Sequence, residues 1–188
     1  MIILDPFTIN VMLDFETLDT EPTALPVSLG AIEIIPDLDK AKRFQVNFNV
    51  QELIETEEFS ISADTLKWWM NQSYAVREAA IPSNKEASLS LAVTSFTSWA
   101  ASLGEKPIVL WANWASFDFP ILRRIYKQIK EPFPFSRRNL RCYGTIKKLF
   151  PDISPDRELD LIKHIALEDA IYQAKHLLKI ARQVSKNG

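Results

Sequence analysis

The stretch VMLDFET, residues 11–17, sets two carboxylates inside a run that otherwise reads as a buried strand. Val11, Met12, Leu13 and Phe15 are apolar, yet Asp14 and Glu16 sit among them. Side chains at i and i+2 of a strand point to the same face, so the two acids project together while Phe15 packs behind. Like charges that close repel, and an unpaired buried carboxylate is costly. A divalent cation between them relieves both penalties, and hard oxygen donors favour Mg²⁺ or Mn²⁺ over zinc. An isolated D-x-E is more often a pair of exposed carboxylates at a sheet edge, so the case turns on what else the chain supplies.

It supplies more acids. In WANWASFDFP (111–120), Asp118 follows an apolar run and opens a helix. The C-terminal ends of parallel strands are where α/β sheets build their sites, although a helix cap is the plainer role. In HIALEDAIYQA (164–174), Asp169 lies within an amphipathic helix, beside Ala170, Gln173, Ala174 and Leu177. Small residues there let a helix approach a sheet closely. Glu168 is the exposed alternative. On a continuous helix His164 would sit about 140° away from Asp169, so the two converge only if His164 precedes the helix or occupies its first turn. A neutral imidazole in that position can take a proton from water near pH 7. His176 has no such company and reads as helix surface.

Around these residues the pattern predicts strands over 10–16, 26–35 and 43–50, in an antiparallel meander. Gly30 marks a close backbone approach. In the third strand Phe44, Val46, Phe48 and Val50 alternate with Gln45, Asn47 and Asn49, which predicts a half-exposed strand. Helices are expected over 62–80, with Ser62 as cap and Pro82 beyond the end, and over 84–104, stopped by Gly104. A buried parallel strand follows at 107–113, then a helix over 119–130 with Pro120 near its first turn. Residues 138–150 hold a short strand or a helix start, and a long helix closes the chain over about 165–185. This is an α/β domain with a mixed central sheet flanked by helices.

The chain has 188 residues, 47% of them hydrophobic, which fits a single domain over 1–188. With only Cys142, an internal disulfide and a cysteine zinc cluster are excluded. No basic region precedes a long apolar stretch near residue 1 and no run of about 18 apolar residues occurs, so a soluble cytoplasmic protein without membrane contact is expected. The net charge is −2 but unevenly spread. Between 121 and 149, nine Lys or Arg face Glu131 alone, giving +8 and leaving −10 elsewhere. A basic segment in an acidic protein points to an anionic partner or to solvated helix faces.

The D-x-E-T of the first strand, the F-D before a helix and the H-x4-D at the last helix resemble the DEDD superfamily of 3′-5′ exonucleases, on the ribonuclease H-like fold. The spacing is that of the histidine subclass, DEDDh; the tyrosine subclass needs Tyr where Ile165 stands. TLKWWMNQS (65–73) and HIALEDAIYQA are similar to the short phage and bacterial enzymes of the ribonuclease T and ribonuclease AS branch. The likeness runs from about residue 10 to 180. It implies that Asp14, Glu16, Asp118 and Asp169 hold two Mg²⁺ or Mn²⁺ ions, with His164 as general base. It implies 3′ ends of single-stranded DNA or RNA as substrate, the basic segment following the phosphates, and a homodimer. Thr17 and Leu18 match positions that approach the terminal nucleotide, Leu18 as a wedge.

Aromatic residues extend that expectation. Adjacent on a helix, Trp68 and Trp69 point about 100° apart, so one can be core while the other stacks on a base. Trp69 is expected to be the substrate contact, with Phe117 as a second platform and Arg141 as a phosphate contact. Trp111 is expected in the core. Two rivals stand beside this reading. A metal-dependent aspartyl phosphatase would show D-x-D-x-T, where this chain has Glu16 followed at once by Thr17. A nucleic-acid-binding module with a dead site would lack some of the five expected side chains, and all five are present.

Overall fold

The alternation along VMLDFET runs through the central strand of a six-stranded sheet. The computed structural model describes residues 3–81, 86–156 and 163–186. Its strands are β1 (Ile9–Thr17), β2 (Pro26–Glu33), β3 (Arg43–Phe48), β4 (Glu86–Ala87), β5 (Ile108–Ala112) and β6 (Leu140–Cys142), in the spatial order β4-β3-β2-β1-β5-β6. β1, β2 and β3 form the expected antiparallel meander, while β5 runs parallel to β1 and β6 parallel to β5. The sheet is therefore mixed, as the sequence predicts.

Alternate residues of β1 feed two cores. Val11, Leu13 and Phe15 join one cluster with α4 (Leu89–Ala101) and α5 (Ala115–Gln128), through Phe96, Phe119 and Leu122. Met12 joins the other, against Ala170, Ala174 and Leu177 of α7 (Ala166–Lys186). Asp14 and Glu16 continue the Met12 side, so the period of two delivers both acids to the face that α7 covers. Gly30, paired with Asp14 across β1 and β2, sits directly beneath the start of α7. A Cβ there would stand 2.1 Å from the Leu167 nitrogen. The predicted close approach is thus a helix laid on bare backbone.

Several boundaries differ from the prediction. The helix expected over 62–80 is two, α2 (Ala63–Met70) and α3 (Tyr74–Ala80), because Ser73 turns its hydroxyl to the Val76 N–H and starts a new helix. β3 stops at Phe48, and Val50 begins α1 (Val50–Glu55), with Asn49 accepting from the Glu52 N–H. α4 starts at Leu89 behind its Ser88 cap. α5 starts four residues early because the Trp114 carbonyl accepts from the N–H groups of Phe117 and Asp118, which moves Pro120 into the second turn. The segment 138–150 holds both β6 and α6 (Tyr143–Leu149). Pro82 and the approach over 157–162 lie outside the described residues.

His176 is a correction. It is 2% exposed, shares a hydrogen bond between Nδ1 and the Tyr143 hydroxyl (2.6 Å) and donates from Nε2 to the Ile153 carbonyl (2.6 Å). Both ring nitrogens have partners, so burial costs it no lost hydrogen bond. Trp111 is core, as expected, its indole N–H on Asn10 Oδ1 at 2.9 Å. Among the described residues, no helix is long and apolar enough to cross a membrane.

Candidate active site

Three elements deliver four carboxylates to one end of the sheet. β1 supplies Asp14 and Glu16, the first turn of α5 supplies Asp118, and the first turn of α7 supplies Asp169. Oxygen atoms of Asp14, Glu16 and Asp169 lie within 4.8 Å of one another. Asp118 is buried beside them and raises the pKa of both β1 acids. Its carboxylate faces back to the Trp114 N–H at 3.4 Å, a weak cap, so capping alone does not account for it.

The electrostatics record a deficit of positive charge. Burial, then the charges of Asp118, Glu16 and Asp169, push the Asp14 carboxyl well above its usual range. Burial followed by Asp169 and Asp118 pushes Glu16 up to about 8. Burial pushes Asp118 up to about 7, against the main-chain N–H groups of Trp114, Phe15 and Asp118 itself. Asp169 is raised by burial, against the His164 main-chain N–H. Four acids held this way, all hard oxygen donors, fit a divalent cation. A buried amide oxygen in the same place, Oε1 of Gln173, has no hydrogen-bond partner among the described residues.

His164 lies two residues ahead of α7, as convergence with Asp169 requires. Its φ of 66° is left-handed, and its main-chain N–H donates to Asp169 Oδ2 at 2.9 Å. The imidazole stands edge-on to Trp68, with ring centroids 4.8 Å apart. Trp68 in turn meets Trp69 edge-on at 4.9 Å. A cleft of about 800 Å³ opens alongside, lined by Glu16, Thr17, Trp68, Trp69, Trp114 and Phe117 among others.

The cleft reorders the expected contacts. Trp69 is only 4% exposed and gives its indole N–H to the Thr17 carbonyl at 2.9 Å, so it anchors β1 from the floor. Trp68, 40% exposed, offers the open ring. Leu18, expected as a wedge, is 8% exposed and packs in the core beneath β1. Thr17 and Phe117 line the cleft, while the Thr17 hydroxyl is held by the Asp19 carbonyl at 2.7 Å. Arg141 lies on edge strand β6, its guanidinium turned back on the carbonyls of Arg138 and Leu140. Gln173 was missed: its Nε2 donates to Asp14 Oδ1 at 2.8 Å. The signal available was its i+4 spacing from Asp169, which places both on one face of α7.

Residues 9–181 match the family described as the 3′-5′ exoribonuclease Rv2179c-like domain. The chain belongs to this family. Over 131 residues it is also 26% identical to an exodeoxyribonuclease of Enterobacteria phage T4, a match covering 64% of this chain and 57% of that protein. Across 98% of its length it follows the fold of the nuclease domain of 3′hExo, described as a DEDDh family member bound to rAMP, with 96% of that chain covered, a TM-score of 0.57 and 11% identity. The family likeness thus spans all four acids and His164, and the structural likeness concerns the fold.

Proposed function

We propose that this chain is a divalent-metal-dependent 3′-5′ exonuclease that removes nucleotides from single-stranded ends. The observation that supports the proposal is the cluster of Asp14, Glu16 and Asp169, with Asp118 close enough to act on both β1 acids, next to an aromatic cleft that Glu16 helps to line. In this reading the four carboxylates hold Mg²⁺ or Mn²⁺, two ions per site, and the cations supply Lewis acidity toward the scissile phosphate.

The chain's own residues do the rest. The open ring of Trp68, with Phe117 as a second aromatic of the cleft lining, stacks the unpaired terminal base; such stacking is sequence-tolerant and favours single strands. Thr17 borders the terminal sugar. His164 takes the proton as water attacks the terminal phosphorus. The bond to the 3′ oxygen of the preceding nucleotide breaks, that oxygen leaves with the shortened strand, and a nucleoside 5′-monophosphate departs. The imidazole packs edge-on against Trp68, which lines the cleft. The family is described by an exoribonuclease and the phage relative as an exodeoxyribonuclease, so both sugars belong in the test.

The test is digestion of 5′-labelled DNA and RNA strands of one sequence with Mn²⁺, and with EDTA as control. The expected result is a ladder shortening from the 3′ end, with 5′-mononucleotides released. Labelled mononucleotide appearing first, or hydrolysis that survives EDTA, overturns the proposal.

A further inference from the structure

Gln173 sits one turn after Asp169 on α7, the helix whose start Gly30 admits to the sheet. It is 6% exposed. Its Nε2 donates to Asp14 Oδ1 at 2.8 Å, and its Oε1 is buried without a partner among the described residues. A buried amide oxygen left bare is costly and calls for a cause.

The choice of side chain is informative. A Glu at this position would add a fifth negative charge to a group that already lacks counter-charge. A Lys would place a permanent cation where a metal is to bind. A Leu or Met would leave the Asp14 carboxylate free to rotate. Gln is the side chain of this length that donates a hydrogen bond and brings no charge.

We propose that Gln173 is a positioning residue for the metal centre: it fixes the plane of the Asp14 carboxylate, and its Oε1 is the acceptor kept for a water that arrives with the cation. Partners of this kind orient metal ligands and tune affinity. The consequence for turnover rests on the exonuclease reading above, but the metal-binding consequence is measured without it.

The test compares wild type with Gln173→Met, which keeps length and removes the donor. Mn²⁺ binding is followed by calorimetry, and melting is followed in EDTA. The expected result is a dissociation constant weakened about 10–100-fold, with metal-free melting unchanged. The Mn²⁺ concentration giving half-maximal nuclease rate should shift by the same factor, with kcat at saturating Mn²⁺ largely retained. If Gln173→Met folds poorly, Gln173→Asn retracts the amide by one methylene and should show the same loss of affinity. Wild-type binding with unchanged affinity in the variant overturns the role of Gln173 alone. A wild type that binds no Mn²⁺ overturns both this inference and the metal-dependent reading.

Discussion

At the scale of single residues, the acids govern stability as well as chemistry. Replacing Asp14 by Asn removes one of four clustered charges. Asp14→Asn should therefore melt higher than wild type in EDTA at pH 8, while nuclease turnover falls by at least about 100-fold, beyond the usual cost of disturbing a ligand's partner. The pH dependence has a definite sign. Glu16 at about 8 and Asp118 at about 7 are raised in the folded protein, so the unfolded chain gives up these protons first. Their contribution is complete below the ordinary carboxylate range and is lost as pH climbs through 7 and 8. Urea midpoints in EDTA should fall from pH 5 to pH 9, and Glu16→Gln should flatten the fall. His164 makes a second case. His164→Ala should lose about 10²–10⁴-fold in kcat if its imidazole is the base. The backbone at φ 66° matters separately, because Ala resists that conformation and Gly does not. His164→Gly should be equally slow yet more stable than His164→Ala by about 1 kcal/mol in urea titration.

At the scale of elements, the site depends on α7 lying against β2. Gly30→Ala places a methyl carbon 2.1 Å from the Leu167 nitrogen and 2.3 Å from the Ala166 carbonyl carbon, both backbone atoms that yield only if the helix retreats. Overpacking of this kind costs about 1–3 kcal/mol. The retreat would carry Asp169 and Gln173 away from Asp14, so Mn²⁺ affinity measured by calorimetry should fall along with stability. This contact was legible in the sequence, since a lone glycine within a strand signals close approach. The acids were legible for a related reason: a period of two fixes the face of Asp14 and Glu16, and the end of a buried strand fixes the place of Asp118. What was hidden depends on partners distant in sequence. His176 reads as surface until Tyr143 and the Ile153 carbonyl are seen to take both its nitrogens. Adjacent tryptophans can be told to diverge, but which of them faces the core depends on the Thr17 carbonyl 52 residues earlier. The break between α2 and α3 was available in Ser73, but a continuous apolar period masked it.

At the scale of the whole molecule, the uneven charge needs a finer reading than nine basic residues on one path. Arg124 is tied to Glu58 at 3.2 Å, Arg123 lies over the Phe133 ring at 4.5 Å, and Arg141 folds onto nearby carbonyls. Lys148 differs: its ammonium sits 4.8 Å from the ring centre of Trp114, which lines the cleft. An acidic remainder of −10 repels a polyanion elsewhere, so a strand leaving the cleft is steered toward the basic side. The Trp114–Lys148 pair is a cationic point on the border of that cleft. Lys148→Gln should raise KM for oligonucleotides and reduce the slope of log affinity against log salt by about 0.7, the value for one phosphate contact on a single strand. Arg124→Gln should leave that slope unchanged, because its charge is already engaged by Glu58. The measurement is binding of a labelled strand by Asp14→Asn across a salt series, in Mg²⁺-free buffer so that cleavage cannot intrude. A slope reduced by Arg124→Gln and untouched by Lys148→Gln would put the strand on the α5 side, beside Glu58, instead of across Trp114.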